Sequence, residues 1–151
     1  MIESLRQHKF FDIFSDSELE KLASVITDRT FGDNDLIFLE NMPGEALYIV
    51  DDGSVKITKM IAEGEELQLS VLKKGDILGE MAIIEGGRRA VTARPISYCR
   101  LLVIRKRDFA GFLDREPAVG YKFQVSIMKV FIKKLRLMDD KINEMLLSQL
   151  D

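Results

Sequence analysis

The feature that most limits the possible folds is a series of short apolar segments between residues 30 and 105, separated by turn signals. The segments read LIFLE, ALYIV, VKIT, LQLSVL and RLLVI, and the turns include NMPGE, DDGS, AEGEE, KKGD and EGGRR. β-Branched and aromatic residues in partly alternating order are typical of strands, and closely spaced short strands favour a sandwich, jelly roll or barrel. Gly53 in DDG predicts a hairpin, because glycine accepts positive φ freely.

Helical patterns flank this β-rich region on both sides. The N-terminal residues predict a short helix and a turn, after which Ser15 and Glu18 have the spacing of a capping box at the start of a second helix. After Phe109 we expect a short helix that stops near Pro117, followed by a long helix that reaches about Leu147.

The long helical pattern carries apolar residues at spacings of 3, 4, 3, 4 and 3, namely Met128, Phe131, Leu135, Met138, Ile142 and Met145. A heptad seam of this kind is typical of helices that pack against each other. We expect the helix to pack on its own barrel and on a second chain, which predicts a homodimer, since no segment follows to cover its end. Docking within one chain is the alternative.

One histidine and one cysteine restrict the chemistry that the chain can perform. His8 is expected on the surface of a helix, and Cys99 is expected to be a small core residue. Metal sites based on histidine and Ser–His or Cys–His catalytic pairs are therefore disfavoured, and a single cysteine rules out an internal disulfide and a Cys-rich metal site. We predict that the protein is not an enzyme and needs no metal or other cofactor.

Charge and hydropathy bear on partners and location. The formal net charge of −3 argues against a nucleic-acid binder. No apolar run is as long as the roughly 18 residues that a membrane span requires, and the N-terminus lacks an apolar signal segment. We therefore expect a cytoplasmic protein without a membrane span.

The sequence GEMAIIEGGRRAVTA at residues 79–93 combines groups suited to a sugar phosphate. Gly79 permits a tight turn, and the next residues can form one helical turn whose free N–H groups favour an anion. Arg89 offers the planar fork that matches a phosphate, and Glu80 can accept a hydrogen bond from a sugar hydroxyl. The alternative is that Glu80 and Arg89 pair with each other, or that the arginines point into water.

The same stretch resembles the phosphate-binding cassette of the cyclic-nucleotide-binding domain family, which includes catabolite activator proteins and protein kinase regulatory subunits. The matching positions are Gly79, Glu80, Met81, Ala82 and Ile83, then Arg89, Ala90 and Thr92. The segments FFDIFSDSELEKLAS, PGEALYIVDDGSVKI and LKKGDILGE are similar to further parts of the family, so that the resemblance extends over roughly residues 5–138.

The resemblance implies a fold and its division. The expected fold is mainly β with flanking helices, a jelly-roll β-barrel with N-terminal helices, a short cassette helix and a long C-terminal helix. Residues 1–116 would form the cyclic-nucleotide-binding roll with its N-terminal helices. Residues 117–151 would form a long helix that serves as lid and dimerisation element.

The resemblance also implies roles for single residues. Glu80 would accept the ribose 2′-hydroxyl, Arg89 would bind the exocyclic phosphate oxygens, and backbone N–H groups of Ala82 and Ala90 would complete the cradle. The long helix would contact the base near Leu135, Met138 and Asp139, although Met138 also fits the dimer seam. The expected binding residues are Gly79, Glu80, Met81, Ala82, Arg89, Ala90, Leu135 and Met138.

The function implied is a regulatory sensor that binds a cyclic nucleotide and transmits binding through its C-terminal helix. Ala90 lacks the hydroxyl that favours guanine at this position in the family, so the resemblance implies cyclic AMP, and not cyclic GMP, as the expected ligand. No helix-turn-helix follows, which predicts a stand-alone sensor or a piece of a larger regulator, without direct nucleic-acid binding. The alternative is a ligand-free dimerisation scaffold, because Arg88 stands where many members have proline and Val91 where a small residue is usual.

Overall fold

The computed structural model describes residues 1–150. It has helices on both sides of a β-rich region, as the sequence indicates. In chain order the elements are α1 (Ile2–Arg6), a 3₁₀ helix (Lys9–Phe11), α2 (Asp16–Ala23), β1 (Ile26–Phe31), β2 (Ala46–Ala62), β3 (Glu65–Leu72), β4 (Ile77–Leu78), α3 (Glu80–Ile84), β5 (Thr92–Arg105), α4 (Lys106–Arg115) and α5 (Pro117–Ser148). The expected class, mainly β with flanking helices and a long C-terminal helix, is confirmed.

The strands form one antiparallel sheet in the order β1-β5-β2-β3, and β4 pairs with β2. β2 and β5 pair along most of their length, from Ala46 opposite Arg105 to Thr58 opposite Thr92. This pairing places the end of the loop before β5 next to Thr58, in the C-terminal part of β2. The short helix α3 lies between β4 and β5 in the chain, and both of these strands pair with β2.

The hairpin predicted at Gly53 is wrong, because β2 runs straight through this position. The pairing of β2 with β5 changes register between Val50 and Asp52 and again between Gly53 and Ser54, which marks an irregularity in a continuous strand. Gly53 does have a positive φ of 77°, and a Cβ there would lie 2.1 Å from the carbonyl oxygen of Tyr98. The glycine therefore allows close approach of two strands and does not make a turn.

Two other strand assignments differ from the sequence prediction. The LIFLE segment forms no strand, since only Phe38 makes an isolated bridge, to Ala93. Conversely, residues 26–31 form β1, although only the two end residues, Ile26 and Phe31, are apolar and buried. Both differences arise because pairing with β5, rather than local alternation, decides which segments extend.

The N-terminal helices confirm the predicted capping box. The Ser15 side chain accepts from the Glu18 N–H at 3.2 Å, and the Glu18 carboxylate accepts from the Ser15 N–H at 2.8 Å. Leu19 and Leu22 of α2 are fully buried. They belong to a core that joins the helices to one face of the sheet, whereas a second core fills the interior of the roll around Val50 and Leu101.

Cys99 lies in the second core and is fully buried, as expected. Burial raises the pKa of its thiol to about 11, so that the thiolate is scarce near neutral pH. The prediction that Cys99 is a core residue is confirmed.

The predicted surface position of His8 is wrong. His8 is only 1% exposed, and its Nε2 donates to Oδ1 of Asp51 at 2.7 Å. The Ser4 hydroxyl donates to the same oxygen at 2.7 Å, and Arg100 forms an ion pair with the other carboxylate oxygen. Asp51 lies at the irregularity of β2 and accepts these bonds, which link the N-terminal helices to the sheet. The burial of His8 leaves no local sequence signal, because its partner Asp51 lies 43 residues away in the chain.

The long helix α5 changes character along its length. Its buried residues are Val119, Gly120, Phe123, Ser126 and Ile127, which pack on the helical core. From residue 132 to residue 150 every residue is exposed, including most of the predicted heptad seam. No helix within residues 1–150 has the length and apolarity that crossing a membrane would require.

Candidate functional site

A tight turn at Gly79 connects β4 to the short helix α3. Gly79 has φ 77°, in the left-handed region that glycine adopts with little cost. A Cβ on Gly79 would lie 2.5 Å from Nη1 of Arg89 and 2.7 Å from the carbonyl oxygen of Ala46. The absence of a side chain at this position therefore provides the space that the Arg89 guanidinium occupies.

Replacing Gly79 with alanine is expected to displace the guanidinium of Arg89 and to lower the free energy of unfolding by more than the roughly 1–2 kcal/mol of backbone strain. Gly64→Ala is the matched control, because Gly64 has the same φ of 77° and no atom within 4 Å of its added Cβ. Urea denaturation of the two variants should show the larger loss for Gly79→Ala. Equal losses would contradict the packing argument.

The loop of residues 41–44 fixes the backbone on the other side of the site. The Asn41 N–H donates to the Arg89 carbonyl at 2.8 Å, and the Arg89 N–H donates to the Met42 carbonyl at 2.7 Å. Asn41 has a φ of 68°, in keeping with the tolerance of asparagine for left-handed backbone. A Cβ on Gly44 would lie 2.5 Å from the Cβ of Ala82, so that this loop packs directly on α3.

The side chain of Arg89 is buried, with 7% of the residue exposed. Its Nη2 donates to the carbonyl oxygen of Ala46 at 2.8 Å. Its guanidinium carbon lies 4.2 Å from the ring centre of Phe38 and 5.7 Å from that of Tyr48. Backbone and aromatic faces thus hold the guanidinium in a defined place.

The charge of Arg89 lacks a counter-ion within residues 1–150. Among residues 1–150 no carboxylate forms an ion pair with it, and its Nε is buried without a hydrogen-bond partner. Burial lowers the pKa of Arg89 from its ordinary value, and Tyr48, Glu45 and Glu80 only partly offset this effect. Such a buried cation is costly unless an anion approaches it.

Glu80, the first residue of α3, is also buried, but it pairs with a different partner. Its Oε1 forms an ion pair with Nζ of Lys134 from α5. The side chain of Glu80 is 8% exposed and that of Lys134 is 47% exposed. The structure therefore does not contain the direct Glu80–Arg89 pair that the sequence left open.

A cavity of about 270 Å³ lies between α3, the loop before β5 and the sheet. Six of the expected binding residues line it: Gly79, Glu80, Met81, Ala82, Arg89 and Ala90. Leu135 and Met138 do not line it, and they are 63% and 59% exposed. The cassette residues are thus brought together, whereas the two expected base-contacting residues stay outside.

The other residues that line the cavity include six apolar side chains and two cationic ones. The apolar lining comes from Phe38, Ile57, Leu72, Ile77, Leu78 and Val91. Arg88 and Lys134 also reach the cavity, and Nη1 of Arg88 donates to the Asn41 carbonyl at 2.7 Å. A flat apolar group with an attached anion would match both kinds of wall.

The two expected backbone donors differ in availability. The Ala82 N–H already donates to the Gly79 carbonyl at 3.2 Å. The Ala90 N–H has no hydrogen-bond acceptor among residues 1–150. Ala90 therefore offers a free donor beside Arg89, while Ala82 would share its hydrogen with a bound anion.

The sequence prediction missed Lys134, Phe38 and Tyr48 at this site. Lys134 directly precedes the expected Leu135, but a shift of one residue turns a side chain by about 100° around a helix, so that register decides which residue faces the cavity. Phe38 and Tyr48 carried a signal only as apolar members of expected strands. The position of their ring faces beside the Arg89 guanidinium is known only from the placement of β2 and of the loop before it.

Comparison with known proteins gives consistent results. A family model described as "Cyclic nucleotide-binding domain" matches residues 28–116. The anaerobic regulatory protein of Bacillus subtilis is 31% identical over 137 residues, which cover 90% of this chain and 56% of the relative. The cyclic AMP receptor protein of Thermus thermophilus is 28% identical over 104 residues, which cover 69% of this chain and 48% of the relative.

A solved structure supports the fold assignment. The crystal structure of a cyclic nucleotide-binding domain from Methylobacillus flagellatus has a TM-score of 0.82 at 22% identity and covers 95% of this chain and 80% of that chain. Its arrangement confirms the expected jelly-roll fold. The chain spans about half the length of the two curated relatives described above.

Proposed function

Since this chain belongs to the cyclic nucleotide-binding domain family, we propose that its cavity binds cyclic AMP and that the module is a regulatory sensor. The observation that carries the proposal is the buried guanidinium of Arg89, which faces a cavity and has no carboxylate partner within residues 1–150. A cyclic phosphodiester carries one negative charge and would neutralise this cation in place.

In this proposal the polar groups of residues 80–90 that line the cavity contact different parts of the ligand. Arg89 donates through its free nitrogens to the exocyclic phosphate oxygens, and the N–H groups of Ala82 and Ala90 complete the phosphate contacts. Glu80 accepts from the ribose 2′-hydroxyl. The apolar wall that includes Phe38 and Leu72 supports the sugar and the base.

Two considerations favour cyclic AMP over cyclic GMP. Ala90 has no hydroxyl to contact a guanine, and one relative bears the name cyclic AMP receptor protein. In the proposed complex Leu135 and Met138 contact the base, which requires α5 to move because both residues lie outside the cavity. Cyclic GMP is the second candidate ligand.

Signal transmission follows from differential affinity. A ligand shifts a conformational equilibrium only if it binds one arrangement better than the other. In the proposed sensor, the arrangement with α5 closed over the base binds cyclic AMP more tightly. The exposed heptad seam of α5 would carry this movement to a second copy of the chain, with residues 117–151 acting as lid and dimerisation element.

A ligand-free scaffold remains the second candidate, because Val91 lines the cavity and Lys134 already neutralises Glu80. In that case the seam of α5 would provide the function by dimerisation alone. The scaffold leaves the charge of Arg89 without a carboxylate partner among the described residues, which is why the sensor is the better-supported proposal.

Isothermal titration calorimetry tests the proposal with cyclic AMP, cyclic GMP and a cyclic dinucleotide. We expect saturable binding of cyclic AMP at one site per chain, weaker binding of cyclic GMP and none of the dinucleotide. Thermal melts should show a rise in Tm that grows with the concentration of cyclic AMP, because a ligand of the native state stabilises it by mass action. Absence of heat and of any Tm shift with all three ligands would favour the scaffold.

A further inference from the structure

The ion pair between Glu80 of α3 and Lys134 of α5 occupies a place that the proposed ligand needs. Within residues 1–150, Lys134 is the only residue of α5 that lines the cavity. Its ammonium group contacts Oε1 of Glu80, a carboxylate that is almost buried. The α5 side chain at the cavity, Lys134, is therefore a cation that already binds Glu80, the residue that we assign to the ribose hydroxyl.

Within residues 1–150, the same pair is the most C-terminal side-chain ion pair that joins α5 to the roll. From residue 132 to residue 150 every residue is exposed. In this part of the helix, the only side-chain hydrogen bond or ion pair to another element within residues 1–150 is the one from Lys134 to Glu80. Loss of this pair would leave the helix beyond Phe131 attached only through its N-terminal half.

We propose that Lys134 is a competing latch: it holds α5 to Glu80 in the ligand-free protein, and the ribose of the ligand must displace it. This inference rests on the proposed function. Lys134 and a ribose hydroxyl are both donors to the Glu80 carboxylate, and because Lys134 already lines the cavity, the ribose would have to enter the space that the ammonium group occupies. Binding at Glu80 is thereby converted into release of α5, which frees Leu135 and Met138 to approach the base.

The latch predicts that neutralising Lys134 raises the affinity for cyclic AMP, whereas neutralising a residue that contacts the ligand would lower this affinity. If Lys134 competes with the ligand, its neutral variant Lys134→Gln binds cyclic AMP about fivefold more tightly, the value expected for loss of a half-exposed ion pair. If Lys134 instead contacts the ligand, the same variant binds more weakly. Lys133→Gln is the matched control, since Lys133 is exposed and forms no ion pair within residues 1–150.

Calorimetry with cyclic AMP should compare the wild type, Lys134→Gln, Lys134→Arg and Lys133→Gln. Tighter binding by Lys134→Gln alone supports the latch, because arginine retains the charge and Lys133 has no part in the pair. Unchanged or weaker binding by Lys134→Gln overturns it. Since Lys134 is half-exposed, all four proteins are expected to fold, and thermal melts check this point.

A measurement without ligand separates the latch from the proposed function. Amide hydrogen exchange in residues 132–138 should be several-fold faster in ligand-free Lys134→Gln than in the wild type or Lys133→Gln. Equal exchange in the three proteins overturns the latch whatever the ligand results are. If none of the proteins binds a cyclic nucleotide, the proposed function fails, and the exchange comparison alone decides whether Lys134 holds α5.

Discussion

Replacing Arg89 with methionine is expected to weaken cyclic AMP binding at least about 100-fold while leaving the ligand-free protein as stable as the wild type or more stable. Each hydrogen bond to a charged group contributes about 1.5–3 kcal/mol, and the phosphate would lose two of them. Methionine fills much of the same space, and removal of a buried cation that has no counter-ion within residues 1–150 relieves its desolvation cost. Calorimetry gives the affinity, and urea denaturation gives the free energy of unfolding.

Arg107→Met is the matched control for this variant, because the Arg107 side chain is 85% exposed and lies outside the cavity. It should bind cyclic AMP like the wild type. A large loss of stability in Arg89→Met with unchanged affinity would show that Arg89 is a structural residue, and would contradict its assignment to the phosphate.

The second large effect is expected on stability, from replacing Asp51 with alanine. This change leaves buried His8 and the Ser4 hydroxyl without their acceptor, and it removes the ion pair with Arg100. Breaking a buried polar network is expected to lower the free energy of unfolding by about 3 kcal/mol. Asp52→Ala is the control, because Asp52 is exposed and adjacent in the chain, and it should change stability by less than about 0.5 kcal/mol.

The contribution of Asp51 should depend on pH with a defined sign. Burial alone would raise the pKa of its carboxyl group, but hydrogen bonds from His8 and Ser4 and the charge of Arg100 outweigh burial and lower it. A carboxyl group with a lowered pKa stabilises the fold above its unfolded pKa of about 3.9, and this stabilisation is lost as the pH falls through the folded pKa. The stability difference between wild type and Asp51→Ala should therefore shrink below about pH 4; a difference that grows there would contradict the argument.

Local signals predicted those parts of the fold that local interactions determine. The capping box of Ser15 and Glu18, the long helix after Pro117 and the short helix after Gly79 need only neighbouring residues for their formation. The same reasoning failed where distant pairing decides. Gly53 carries a turn signal, yet the backbone of β5 approaches it so closely that the glycine serves contact between strands.

His8 shows the same limit for polar residues. A single histidine among helical residues has no local reason to be buried, and the acceptor that compensates its burial comes from the middle of β2. Because buried polar groups depend on partners that the fold supplies, their burial is visible only after the sheet is assembled.

In the candidate site, too, the residues that are close in sequence lie at one cavity as expected, whereas the residues expected from a distant helix do not. The cassette from Gly79 to Ala90 is contiguous, so that the resemblance could place Glu80 and Arg89 at one cavity, and both line it. The contribution of α5 depends on the docking angle and register of a helix that leaves the core after Phe131. For this reason the sequence predicted Leu135 and Met138, whereas the residue that reaches the cavity is Lys134.

Titration of ¹⁵N-labelled protein with cyclic AMP, followed by NMR, tests whether the cavity beside Arg89 binds the phosphate of a cyclic nucleotide. We expect the largest shifts at the backbone amides of residues 79–82 and of Ala90 and at the side-chain Nε–Hε of Arg89, which is buried without a hydrogen-bond partner among residues 1–150. Shifts confined to residues outside the cavity, or no shifts at millimolar ligand, would contradict it.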